Sequence, residues 1–110
     1  LMDTARPGAV LGQIESVMVL YRKEGVQFHA LRTRQSAARR FISFHVLVPG
    51  EWTIQRGHQL VERIELDLHA RLENATVFTH IEPINDPASW KDTNLDRTEY
   101  IIPNGSPPVQ

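Results

Sequence analysis

The chain has 110 residues and a mass of 12.6 kDa, the size of one small domain. Such a chain hides roughly 60–70% of its unfolded surface on folding, enough for a two-layer core and no more. Its 41% hydrophobic and 23% charged residues are those of an ordinary globular protein, and 12 basic against 13 acidic side chains leave a net charge of −1. There is thus no global positive field to gather nucleic acid or anionic lipid. The absence of cysteine excludes a disulfide framework, a thiolate zinc knot and a cysteine nucleophile. The longest strongly apolar stretches, such as Val17 to Tyr21, fall far short of the roughly 20 residues of a membrane span, and no signal-peptide pattern is present.

Residues 1–8 read as a lead-in, and the opening on Leu1 rather than Met suggests a segment cut away upstream. From Ala9 to Glu24 the apolar residues Val10, Ile14, Val17, Met18 and Tyr21 recur at helical spacing, and Gly25 supplies the stop. Val26 to Arg34 alternates with period two: Val26, Phe28 and Ala30 on one face, Gln27, His29, Leu31 and Thr33 on the other. Gln35 to Ala38 is short enough for a hairpin connection, although it lacks the Gly or Asn such turns favour. Arg40 to Val48 is the clearest strand, with Ile42, Phe44, Val46 and Val48 opposing Phe41, Ser43, His45 and Leu47, and Pro49-Gly50 ends it.

Thr53 is a plausible N-cap for a second helix whose apolar stripe is Ile54, Val61, Ile64, Leu68 and Leu72, with His58 on the same side. A third strand runs from Ala75 to Ile84, with Val77, Thr79 and Ile81 opposing Phe78, His80 and Glu82. Residues 85–110, rich in proline and with little periodicity, read as a partly disordered tail in which Trp90 and the Tyr100-Ile101-Ile102 run could still dock. The order helix, strand, strand, helix, strand predicts an α+β sandwich, a three-stranded sheet with two helices on one face and the other face open. The second and third strands, joined through a helix, are expected to be parallel.

Taking the more apolar face of each strand as the covered one places His29, His45 and His80 together on the open face, and Glu82 joins them two residues after His80. Three imidazoles and a carboxylate suit a divalent transition metal, and the missing thiolates argue against Cu(I). His58 and Glu62, at i and i+4 on a helix, could serve a second ion if they came close. The bland alternative is a set of histidines that pack against a partner, because Phe41, Leu47 and Phe78 leave the open face too apolar to stay bare. His69 reads as solvated. Arg32, Arg34, Arg39 and Arg40 around the hairpin read as a solvated or salt-bridged turn rather than a phosphate grip. No Gly-rich phosphate loop, RNA-binding aromatic pair or nucleophile–base arrangement is present, so neither an enzyme, a nucleic-acid binder nor a small-molecule substrate site is expected.

Four stretches in order, 28–36 (FHALRTRQS), 41–46 (FISFHV), 57–60 (GHQL) and 79–83 (THIEP), resemble the cytoplasmic C-terminal domain of cation diffusion facilitator transporters. The resemblance runs from Leu1 to about Ile84, and Leu1-Met2-Asp3 looks like the junction after that family's last membrane helix. It implies a ferredoxin-like, metallochaperone-like αββαβ domain over residues 9–84, tethered to its own transmembrane part at the cytoplasmic face of the cell membrane. It also implies a homodimer that binds regulatory metal ions and closes to favour transport. The positions that match the family's metal-binding pattern are His29, His45, His58, His80 and Glu82. Zn²⁺ is the first candidate ion, with Co²⁺, Ni²⁺, Fe²⁺, Cd²⁺ and Mn²⁺ behind it. Glu82 stands where related members can carry Asp, and Ala37 where a glycine is common, so that the hairpin turn is expected to be built differently. The rival readings are a structural dimerisation module without a metal role, and a free-standing metal carrier or sensor on the same scaffold.

Overall fold

A computed structural model describes residues 7–90. Helix α1 (Pro7–Arg22) opens on a proline, whose missing N–H costs nothing in a first turn. It closes through short bonds from Glu24 N to Tyr21 O and Gly25 N to Arg22 O, and Gly25 turns the chain at a φ of 87°. Strands β1 (Gln27–Ser36) and β2 (Arg39–Val48) form an antiparallel hairpin. Helix α2 (Ile54–Arg71) follows, and β3 (Ala75–Pro83) pairs in parallel with β2, giving the sheet order β1-β2-β3. The helix between β2 and β3 makes that parallel pairing feasible, as expected from the chain order.

The two helices cover one face. Val10, Ile14, Val17 and Met18 of α1 and Leu60, Ile64 and Leu68 of α2 close over Ile42, Phe44, Val46 and Val48 of β2, all buried in one core. Thr53 caps α2, its hydroxyl accepting from Arg56 N at 3.0 Å. The backbone of α2 comes close to the sheet at Gly57, where a Cβ would lie 2.6 Å from Ile81 Cδ1. Thr79 Oγ1 donates to Glu65 Oε2 at 3.1 Å and ties the same two elements.

Two details depart from the expected pattern, and a third shows how the glycine-free turn is built. Between His29 and Arg32 the β1–β2 register shifts by a bulge at which Ala30 and Leu31 oppose Phe44, with Ala30 at a φ of 59°. The extra residue reverses the parity, so Arg32 and Arg34, not Leu31 and Thr33, join His29 on the open face, while Thr33 pairs with Ile42. Arg34 accordingly lies 4.9 Å above the ring of Phe41, on that face. Second, Ile54 is 91% exposed: α2 buries Gly57, Leu60, Ile64 and Leu68, with Val61 packed against the core and Leu72 buried just past the helix end, as expected. Ile54 has the right phase but is the first residue of the helix, one turn before Gly57 meets Ile81. Third, the hairpin turn does without glycine: Ala37 itself takes a φ of 55°, and Gln35 Nε2 donates across the turn to Ala37 O at 3.2 Å.

The helix layer carries one buried titrating contact. Tyr21 donates its hydroxyl to the Asp67 carboxylate, joining α1 to α2. Burial first, then that hydrogen bond and the Asp67 charge, push the phenol up to about 12 from 10.0. The folded pKa exceeds the unfolded one, so this stabilisation is complete below pH 10.0 and is lost as pH rises through about 12. Tyr21→Phe is expected to lower stability by about 1.5 kcal/mol at neutral pH. Urea unfolding across the alkaline range should show the gap between the two proteins closing over that window, and a constant gap would contradict the assignment.

Candidate metal centre

The open face is assembled by register. His29 pairs with His45 across the antiparallel hairpin, and His45 pairs with His80 across the parallel β2–β3 pair, so the three imidazoles start from one row across the sheet. Glu82 lies two residues beyond His80, on the same face and beside Leu47. Directly paired side chains begin only about 5 Å apart at Cβ, which is close enough for two rings and a carboxylate to converge.

His45, His80 and Glu82 do converge, each offering one donor atom within 4.8 Å of the others. Glu82 Oε2 lies 3.2 Å from His80 Nδ1 and 4.0 Å from His45 Nδ1. The His45 and His80 rings meet edge to face with centroids 5.1 Å apart. The side chains of His45 and Glu82 are 15% and 11% exposed, whereas that of His80 is 68% exposed. The cluster therefore has a buried floor and an outer lip. Beside it a shallow cleft of about 150 Å³ is lined by Ala30, Arg32, Ser43, Phe78 and the two histidines.

The donor set fits a borderline-soft divalent cation. Bonds of about 2.0–2.1 Å in a tetrahedral site hold neighbouring ligand atoms somewhat over 3 Å apart, within the range these atoms already occupy. Two imidazoles and one carboxylate form a three-donor set that leaves a fourth position open.

The remaining candidates are held elsewhere. His29 stands beside His45 in register, but its ring meets the Trp90 indole with centroids 4.4 Å apart. His58 lies on α2, in the helix layer, with Nε2 3.1 Å from Glu62 Oε2. His58 and Glu62 are therefore neighbours on α2, and neither belongs to the cluster on the open face among the described residues. His69 is exposed. Trp90 is the contributor least visible in the sequence, since nothing in an aperiodic, proline-bearing stretch indicates which strand it returns to.

A three-stranded sheet with two helices on one side and a histidine–carboxylate cluster on the other defines a small α+β domain. The family model described as "Cation efflux protein, cytoplasmic domain" matches residues 7–84, and the chain belongs to that family. It is 52% identical over 91 residues to an uncharacterized transporter of Synechocystis, covering 83% of this chain and 29% of that protein. It is 31% identical over 86 residues to the cation-efflux pump FieF of Pectobacterium carotovorum, covering 77% of this chain and 28% of the pump. The chain thus spans under a third of the length of these relatives.

Among solved structures, the metal-bound C-terminal domain of the CzcD transporter from Thermotoga maritima superposes with a TM-score of 0.65 at 24% identity, over 76% of this chain and 99% of that one. The putative zinc transporter CzrB gives 0.64 at 25% identity, over 73% of this chain and 98% of its own. The fold is theirs, that of the C-terminal domains of cation diffusion facilitators. No helix among the described residues is long and apolar enough to cross a membrane.

Proposed function

We propose that this domain is the regulatory metal-binding part of a divalent-cation efflux transporter, acting on the cytoplasmic side as a homodimer. The observation that carries the reading is the convergence of His45, His80 and Glu82 on the sheet face opposite α1 and α2. A metal-bound neighbour and a zinc-transporter neighbour of the same fold support it. His45, His80 and Glu82 are the donors of the first ion, with His29 the next imidazole along the row. His58 with Glu62 is a separate donor pair on α2. Zn²⁺ suits this donor set best, ahead of Co²⁺, Ni²⁺, Fe²⁺ and Cd²⁺, with Mn²⁺ the weakest.

The same face supports dimerisation. Phe78 is exposed beside the cluster and Phe41 is half-exposed, an apolar surface that a second copy would cover. A bound ion adds interaction energy that exists only when the face is closed, and so shifts an open–closed equilibrium by that difference in affinity. Imidazoles bind metal in the neutral form, so acidification weakens the complex. Phe78 also favours a second reading, a dimer whose histidines merely pack, and chelator distinguishes the two.

The test is a calorimetric titration of the chelator-stripped chain with Zn²⁺. Saturable heat accompanied by a raised melting temperature is the expected result. Silent titrations with an unchanged melting temperature would leave the packing reading in its place.

A further inference from the structure

Beyond β3 the chain returns along the sheet in a tied-down strap. Ile84 N donates to Val48 O at 2.7 Å, and Asn85 Oδ1 accepts from Gly50 N at 2.8 Å. A helical turn over 87–90 follows. There Ser89, 3% exposed, donates its hydroxyl to Pro83 O at 2.7 Å, and Trp90 Nε1 donates to Ile84 O at 2.9 Å. Ala88 N closes onto Asp86 Oδ1 at 2.9 Å. These bonds anchor the strap to the two residues that follow Glu82. The indole at its end meets the edge of His29, the imidazole beside His45.

We infer that Trp90 is a built-in competitor for His29, and that an ion held by His45, His80 and Glu82 gains His29 as its fourth donor only by displacing the indole. The inference rests on the metal-binding reading. A tetrahedral ion with three donors has one position left, and His29 is the imidazole next to it in the row. His29 is outside the three-donor cluster while its ring rests against Trp90, so joining the ion means moving from that contact. Aromatic edge contacts of this kind resist separation by a factor of roughly two to ten. The strap thereby sets the affinity of the site. Because its anchors lie on Pro83 and Ile84, a shift at Glu82 on binding is also passed directly to Trp90.

The experiment uses the full chain carrying Trp52→Phe, which leaves Trp90 as the only tryptophan of the two. Phenylalanine keeps an aromatic ring under Arg56, which stacks 3.8 Å from the Trp52 ring. Zn²⁺ titration is followed by Trp90 emission and by calorimetry. The emission is expected to change saturably with the calorimetric midpoint. Adding Trp90→Ala should tighten Zn²⁺ binding about two- to tenfold, and adding His29→Ala as well should cancel that gain. Thermal melts verify that each variant is folded, and the emission titration needs no change at Trp90. Zn²⁺ that binds with heat while the emission stays fixed, or a Trp90→Ala variant that binds no tighter, would overturn the competitor role and leave the metal site standing. If no variant binds Zn²⁺, both the site and the strap's role fall together.

Discussion

Alanine at both His45 and His80 is expected to weaken Zn²⁺ binding by more than about 100-fold, beyond what the loss of an outer-shell partner costs at a metal site. The cluster has three donors, and this variant leaves only Glu82 of them. A single carboxylate cannot hold a borderline-soft cation against water. Both histidines lie on the face opposite the helices, so the core of Ile42, Phe44 and Val46 is untouched and the variant should melt cooperatively. Glu82→Gln is the milder probe: it keeps the volume and removes the charge, and should weaken binding less than the double variant. Calorimetry on the two variants and the parent measures this directly, and undiminished binding in the double variant would move the site elsewhere.

The second large effect concerns stability. Phe44→Ala is expected to cost about 3–5 kcal/mol, the range for emptying a large aromatic from a packed core. Phe44 is fully buried on the central strand, meets Phe28 edge to face with centroids 5.8 Å apart, and is enclosed by both helices. For a domain of about 100 residues this corresponds to a fall in melting temperature of roughly 12 °C or more. A fall of only a few degrees by calorimetry would contradict the packing described. Phe44 is also the residue before His45, so the side chain that anchors the core on one face sets the donor's direction on the other.

Much of this arrangement is legible in the residues. The alternation of Ile42, Phe44, Val46 and Val48 with His45 fixes which face of β2 meets the helices, and the same parity on β3 puts His80 and Glu82 beside it. Parity fails at Ala30, because alanine gives no sign of a positive φ; a glycine or asparagine there would have suggested a bulge. Ile54 misleads for a different reason: periodicity gives the phase of a helix but not where it first touches the sheet. Leu47, an open-face residue, is nevertheless 0% exposed, and alternation gives no sign of the chain's return over residues 84–90. That return depends on Ser89 and Trp90 reaching backbone carbonyls, contacts that leave no periodic trace. His29 shows the same limit, since nothing on its strand indicates that its ring meets Trp90.

The coupling of ion binding to closure of two copies is tested most directly by small-angle X-ray scattering of the chelator-stripped chain, with and without saturating Zn²⁺. The account predicts a dimer in both states whose radius of gyration falls when Zn²⁺ is added and recovers with chelator, while the His45→Ala/His80→Ala variant stays at the open value throughout. A parent dimer whose scattering is identical with and without bound Zn²⁺ would contradict it.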